Sequence, residues 1–273
     1  MASILDKIVE ARKERLNKSK RRIGMGDFNS FELYEAPRRP FADALRQAGE
    51  VAIIAELKKA SPSKGDIRSE FDPVELAGKY VEGGASALSV LTEPDYFKGS
   101  IEYLLRVRKE VELPVLRKDF IVDPYQLEEA RAYGADAALI IVKITDGSQL
   151  DELLAACRES GLQALVECYD QQDLERLEFS SFEMLGANNR DLRTFNVDLH
   201  GGVGLLQQGP DSMVKISESG IDSGRALRYL KEQGIDAALI GEYFMKQQDP
   251  GRALKELRTA AGFIGKDENR VEY

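Results

Sequence analysis

The chain has 273 residues, of which 43% are apolar and 31% charged, a globular composition with enough apolar surface for a large core. No window reaches the roughly 18 consecutive apolar residues of a membrane span, and a net charge of −9 disfavours wholesale nucleic-acid binding. Cys157 and Cys168 form no Cys-x-x-Cys pair, and so low a count suits a reducing compartment such as the cytoplasm.

The first 22 residues hold no long apolar run and no small-residue cleavage site, so they read as neither signal nor transit peptide. "ILDKIVEARKERL" (4–16) predicts a helix, and "RRPFADALRQAG" (38–49) another. Between them, "FELYEAPRRPF" (31–41) suggests a joint at which the leader could move. Arg12 to Arg22 carries seven basic residues and one acidic, which reads as a solvated helix face rather than a nucleic-acid patch. Residues 1–50 are therefore expected to form an N-terminal helical extension that covers one end of the main domain.

From residue 51 a pattern repeats. In "EGGASALSVL" (82–91), "AYGADAALIIV" (132–142) and "EQGIDAALIGE" (232–242), a glycine closes a helical stretch and a short apolar strand comes next. These strands are continuous apolar runs, the mark of strands buried on both faces in a parallel sheet. "FDPVELAGKY", "VDPYQLEEARAYG" and "QDPGRALKEL" each place Asp then Pro before an amphipathic run, the favoured opening of a helix.

Strands are predicted to begin near Val51, Ala87, Val115, Ala137, Ala164, Met184, Met213 and Ala237. Eight such units predict a (β/α)8 TIM barrel, one domain over residues 1–273 including the extension. The rival is an open doubly wound sheet, but no G-x-G-x-x-G follows the first strand.

In a barrel the site lies at the C-terminal strand ends. The first strand ends in Glu56 and Lys58, which share a face. The third carries Arg117, Lys118 and Asp119; the fifth ends in Glu167; the sixth runs into Asn188, Asn189 and Arg190; the seventh ends in Glu218, Ser219 and Gly220. Any one of these could be a structural ion pair. Their recurrence at five strand ends implies a polar, catalytic mouth, because burying many ions together is costly unless they pair or serve chemistry. The glycines after the last two strands, Gly220 and Gly241, fit loops that bind phosphate through backbone N–H groups; a plain tight turn is the alternative for each. His200 reads as an exposed loop residue, which argues against a histidine metal site, and Cys168 reads as a small core residue.

These stretches closely resemble the indole-3-glycerol-phosphate synthases. "IIAELKKASPSKG", "SVLTEPDYFKGS", "PVLRKDFIVDPYQLEEARAYGADAALII", "LVECYD", "GANNRDLRTFNVDL", "ISESGI" and "LIGE" are similar to that family's blocks, in its order, from about Phe41 to Met245. The resemblance implies ring closure of 1-(2-carboxyphenylamino)-1-deoxyribulose 5-phosphate to indole-3-glycerol phosphate, CO2 and water in tryptophan biosynthesis. It implies no cofactor and no metal. The partner it implies is a small phosphorylated substrate, with no nucleic acid and no membrane, for a monomer or weak homodimer.

By the same resemblance, Lys118 would be the general acid at the substrate carbonyl. Glu167 would stabilise developing positive charge and shuttle a proton. Lys58 would hold a substrate carboxylate or act as acid in dehydration. Glu56 would position Lys58 or take the final proton, with Asn188 and Ser219 completing the set. The division of the acid steps between the two lysines stays open. Ser61, Gly220, Gly241 and the backbone at Glu242 would cradle the phosphate, with Lys64 a further contact. Phe97, Phe120, Leu139, Leu192 and Ile240 would line the aromatic pocket. Three departures stand out: Ala187 for a bulkier aliphatic, Lys143 at the end of the fourth strand, and the glycine-rich "HGGVGLLQQG", which suggests a loosely held helix start.

A sister isomerase acting on N-(5′-phosphoribosyl)anthranilate would be expected to show a Cys/Asp acid–base pair at strand ends, which is not seen. A Schiff-base aldolase using Lys118, and a non-catalytic binding protein, are the remaining alternatives.

Overall fold

A computed structural model describes residues 3–46, 49–191 and 194–264. Eight parallel strands close into a barrel: β1 (Ala52–Leu57), β2 (Ala87–Leu91), β3 (Val115–Lys118), β4 (Ala137–Ile141), β5 (Gln163–Cys168), β6 (Met184–Asn188), β7 (Val214–Glu218) and β8 (Ala237–Ile240). Each pairs with its neighbours in sequence, and β1 closes the ring on β8 with Ala52–Ala55 opposite Ala237–Ile240. All eight begin within one residue of the expected positions.

The strands are apolar throughout because both faces are buried. Inward residues, among them Ile54, Leu116, Leu139, Leu165, Met184, Ile216 and Leu239, form one cluster inside the barrel. Outward residues such as Ile53, Leu88, Val90, Ile140 and Val166 form a second cluster under the surrounding helices. Those helices include α3 (Pro73–Gly83), α4 (Ile101–Glu110), α5 (Tyr125–Ala132), α6 (Gly147–Glu159), α8 (Leu199–Leu206), α9 (Gly224–Glu232) and α11 (Pro250–Ala261), with short turns α7 (Gln171–Leu174) and α10 (Glu242–Met245).

The Asp-Pro openings of α3 and α11 form as expected, with Asp72 and Asp249 at N-cap accepting backbone N–H bonds. In α5 the register shifts by one: Pro124 is the N-cap, and Asp123 still accepts the Tyr125 N–H at 3.0 Å. α3 and α11 lie unusually close. A methyl at Gly251 would fall 2.2 Å from the Lys79 carbonyl oxygen, and one at Gly83 would fall 2.5 Å from that of Gly251. α8 is a regular turn of helix capped by Asp198 rather than a loose start, and His200 lies within it, exposed, with Nδ1 2.7 Å from the Tyr229 hydroxyl.

The extension covers both barrel ends, not one. At the base, β1, β2, β4 and β8 enter the barrel as Ala52, Ala87, Ala137 and Ala237. Phe41, Ala42 and Leu45 of α2 (Phe41–Leu45) join the inner cluster in the space these alanines leave. At the mouth lies α1 (Ile4–Arg22), opened by a Ser3–Asp6 capping box and burying Ile8, Arg12 and Leu16 at a spacing of one turn.

The basic face of α1 is only partly solvated. Arg12 reaches Asp119 at 2.8 Å with both side chains buried, Arg15 forks onto Asp95, and Lys20 lies 2.6 Å from Asp123; Lys13, Lys18, Arg21 and Arg22 are exposed. These three aspartates lie beyond the ends of β2 and β3. The expected joint between the helices is instead strapped down. Arg38 donates to the carbonyls of Leu33, Ala36, Arg131 and Ala135, and Arg39 to those of Val111 and Leu113. The Arg131 guanidinium stacks on Tyr34 at 3.9 Å.

Replacing Arg12 with Met should leave the buried Asp119 short of one cation and lower stability by about 3 kcal/mol, read by urea unfolding. A variant as stable as the parent would show the pair to be idle. Gly251→Ala should cost about 1–3 kcal/mol in the same measurement, through overpacking of α3 against α11.

Candidate active site

Strand parity decides which polar residues meet. In β3, Lys118 points into the barrel while its neighbours point out. Arg117 is fully buried against Glu129, Asp119 and the Gln126 carbonyl, and Asp119 also accepts from Thr92 and Arg12. Arg117 and Asp119 are thus structural ions, and Lys118 is the one that faces the mouth. In β6 the same alternation sends Asn188 inward, while Asn189 bonds Ser217 and the Ser219 carbonyl. Cys168 packs outward in the outer core, where burial raises its thiol.

The inward groups converge. Lys118 Nζ lies 3.2 Å from Glu167 Oε2 and closer still to Glu218 Oε2. Asn188 Nδ2 approaches Glu167 Oε2 at 3.4 Å. Lys58 Nζ lies 2.6 Å from Glu56 Oε2. Two neighbouring strands give the glutamates room by carrying glycine. A methyl at Gly241 would fall 2.2 Å from Glu56 Oε2, and one at Gly186 would fall 2.5 Å from Glu218 Oε1.

Burial alone would push the Lys118 ammonium down, but Glu167, Glu218 and Glu56 overcome it and raise it above the ordinary lysine value. Burial would likewise raise Glu167, but Lys118 and hydrogen bonds from Glu218, Tyr169 and Lys118 hold it below the usual carboxyl range. Glu218 goes the other way. Its burial, with Glu167 beside it, lifts it to about 8 despite Lys118. At neutral pH one proton therefore sits between the two carboxyls on the Glu218 side. Of the three groups that meet there, Lys118 and Glu167 are thus the charged ones and Glu218 the one that keeps its proton.

These groups form the floor of a cavity of about 430 Å³, a size suited to a small-molecule ligand. Phe97 and Phe120, with centroids 5.9 Å apart, line it along with Leu139, Leu91, Ile141, Ile4 and Ile8. Phe97 is presented by a turn in which buried Glu93 accepts the N–H groups of Asp95, Tyr96 and Phe97 at 2.9, 2.8 and 3.1 Å. Ile240 reaches the cavity, but its side chain packs in the outer core; the inward side chain of β8 is Leu239. Leu192 lies outside the described residues.

At the far side stand Ser61, Ser219, Gly220, Gly241 and Glu242. Ser219 and Gly220 are successive left-handed residues, φ 72° and 74°. Gly220 is doubly constrained, since a methyl there would fall 2.2 Å from Val197 Cγ1. Ser219 keeps that conformation with a side chain, strain of the kind stored at functional sites. Glu242 opens α10 and bonds Arg190 at 3.3 Å and Lys246 at 2.6 Å. Lys64 is exposed and is not among the residues that line the cavity. Lys143 lies outside the cavity, paired with Asp170 at 2.5 Å.

The cavity thus gathers Glu56, Lys58, Lys118, Glu167, Asn188 and Ser219, with Ser61, Gly220, Gly241, Glu242, Phe97, Phe120 and Leu139 around them. Glu218 and Arg190 were expected at strand ends but given no role, and Tyr169, Lys246, Ile4 and Ile8 were not among the expected site residues. Alternation from Val214 and Ile216 points to Glu218, and alternation from Asn188 points to Arg190. Ile4 and Ile8 arrive from a distant helix and leave no such local signal.

The sequence model of the family described as indole-3-glycerol phosphate synthase matches residues 5–257. An indole-3-glycerol phosphate synthase of Salinibacter ruber is 45% identical over 260 residues, 94% of this chain and 96% of that relative. One from Campylobacter jejuni subsp. doylei is 46% identical over 257 residues, 93% of this chain and 99% of the relative. Among solved structures, a 3-hexulose-6-phosphate synthase from Salmonella typhimurium aligns with TM-score 0.62 at 14% identity, over 78% of this chain and all of that one. A tryptophan synthase alpha subunit from Legionella pneumophila aligns with TM-score 0.59 at 13% identity, over 84% of this chain and all of that one. The structural likenesses establish the TIM-barrel fold alone, and the sequence matches establish more: the chain belongs to the indole-3-glycerol phosphate synthase family.

Proposed function

We infer that the barrel mouth closes the pyrrole ring of 1-(2-carboxyphenylamino)-1-deoxyribulose 5-phosphate, releasing CO2 and water and leaving indole-3-glycerol phosphate. The observation that carries this reading is the Lys118 ammonium held between Glu167 and Glu218 on the floor of a cavity with an aromatic wall.

When the ring carbon bearing the carboxylate attacks the ribulose carbonyl, negative charge develops on the carbonyl oxygen and positive charge on the aniline system. Lys118, kept protonated by its neighbouring carboxylates, meets the oxygen and gives it a proton. Glu167, kept ionised, faces the positive charge and then shuttles a proton. Loss of CO2 restores the aromatic ring, helped by the apolar surroundings of Phe97, Phe120 and Leu139. Lys58 holds the substrate carboxylate or serves as acid as the hydroxyl leaves as water, with Glu56, 2.6 Å away, placed to orient it or to take the last proton. Asn188 and Ser219 complete the polar lining.

The phosphate sits against Ser61 and the backbone at Gly220, Gly241 and Glu242. Glu242 turns its carboxylate to Arg190 and Lys246, whose cations remain near the anion. A Schiff-base aldolase would need a lysine with a depressed pKa, and Lys118 is shifted the opposite way.

We read the chain as one barrel domain with residues 1–50 as its extension, working in the cytoplasm as a monomer or weak homodimer. Both cysteines are free and buried, and no helix among the described residues is long and apolar enough to cross a membrane. Large exposed apolar side chains among the described residues are few: Met25, Val81, Phe195 and Val197.

Purified protein given the carboxyphenylamino-deoxyribulose phosphate should develop indole fluorescence and release CO2. Well-folded protein that does neither would refute the reading. Lys118→Ala should lower kcat by about 10²-fold or more with the fold intact; near-parental activity would remove Lys118 as the acid.

Glu218→Gln tests the shared proton. Native Glu218 holds a proton that the unfolded chain releases between the ordinary carboxyl value and about 8. That contribution to stability is therefore complete at low pH and is lost as pH rises through this window. The Gln variant should lack this decline when its unfolding free energy is measured against pH. Parallel curves for parent and variant would show that Glu218 is ionised throughout.

A further inference from the structure

Two carboxyls, Glu167 and Glu218, compete for Lys118, and the lysine itself stands closer to Glu218. What sets Glu167 apart begins two residues beyond it. Tyr169 lies just past the end of β5 in the same parity, lines the cavity and packs against the inner cluster. Its hydroxyl accepts from Asn188 Nδ2 at 3.2 Å, and the same amide nitrogen donates to Glu167 Oε2 at 3.4 Å.

The direction of these bonds is set. Asn188 Oδ1 accepts the Arg190 backbone N–H at 3.1 Å, so the amide presents its NH2 to Tyr169 and Glu167. The phenol, pushed far up by burial and by Glu167, keeps its proton. A run of donors thus leads from the backbone at Arg190 to Asn188, whose amide nitrogen donates to both Tyr169 and Glu167. The same Arg190 is paired with Glu242 at the phosphate side.

We propose that Tyr169 is a positioning residue for the ring closure: its hydroxyl holds the Asn188 amide against Glu167 and thereby selects Glu167, rather than Glu218, as the carboxylate turned toward the reacting ring. The proposal rests on the ring-closure reading of the site and extends it to a residue not otherwise assigned a role. The other groups that face Glu167 are Lys118 from β3 and Glu218 from β7, with Glu56 of β1 acting through Lys118. The inward residues of β4, Leu139 and Ile141, are apolar. Lys118 serves both carboxyls. Asn188, held by Tyr169, favours Glu167 alone, since a donated hydrogen bond stabilises the ionised form.

Tyr169→Phe keeps the ring and deletes only the hydroxyl. Its kcat should fall about tenfold, the scale of one hydrogen bond to a charged group, with KM within about twofold of the parent. The acid limb of its kcat profile should move to higher pH. A purely structural role would change stability without moving that limb.

Carboxyl ¹³C resonances of glutamate-labelled protein, assigned with Glu167→Gln and Glu218→Gln, give a second readout that needs no turnover. In the Phe variant the Glu167 midpoint should rise and that of Glu218 should fall. Superimposable titrations in parent and variant, or an unchanged acid limb, would overturn the proposal. A parent protein that fails to turn over the substrate would instead overturn the ring-closure reading, and the titrations would still decide the role of Tyr169.

Discussion

Everything at the barrel mouth turns on one buried cation. Taking an ammonium out of water costs several kcal/mol unless partners replace the solvent. Lys118 has two carboxyls in contact and a third nearby. Glu167 and Glu218 together would overcompensate Lys118, and Glu218, raised by burial and by Glu167, relieves this by keeping its proton. The substrate enters carrying a carboxylate and a phosphate, so it meets cations whose present counter-ions can be exchanged, not a site already short of negative charge. The side of the cavity at Glu242 repeats the device, with one carboxylate paired to both Arg190 and Lys246.

The scaffold makes this arrangement durable by using both faces of a strand for different purposes. Arg117, Lys118 and Asp119 are adjacent in sequence but belong to different layers. Lys118 faces the chemistry, while Arg117 and Asp119 lock β3 to α5 and, through Arg12, to α1. The helix carrying Ile4 and Ile8 into the cavity is thus anchored one residue away from the central ammonium. Shape is shared in a similar way, since Glu56 and Glu218 stand where Gly241 and Gly186 lack side chains. A larger residue at either glycine would displace a carboxylate.

Much of this was legible in the sequence because it obeys short periods. The eight strands come from apolar runs after helix-closing glycines, and Glu56, Lys58, Lys118 and Glu167 from where those runs turn polar. What was less legible depends on distance. Arg12 looks like any basic residue on a solvated helix until Asp119, over a hundred positions later, is folded beneath it. Residues 31–41 lack regular periodicity and so suggest a joint, but the carbonyls that Arg38 and Arg39 grip lie in a different part of the chain. Glycines in α8 suggested looseness, yet Gly202 is where the Asn189 side chain passes. Lys64 differs in the opposite sense: a favourable residue type near the site is exposed and stands outside the cavity lining.

The extension occupies the mouth with α1, runs down the outside under Arg38 and Arg39, and seats α2 in the base. Mechanically it is a clamp with one jaw at each rim. Because Arg38 and Arg39 pin the stretch between the jaws to carbonyls of the barrel layer, each jaw is held on its own account, and α1 can shift at the entrance without unseating Phe41 and Leu45 at the base.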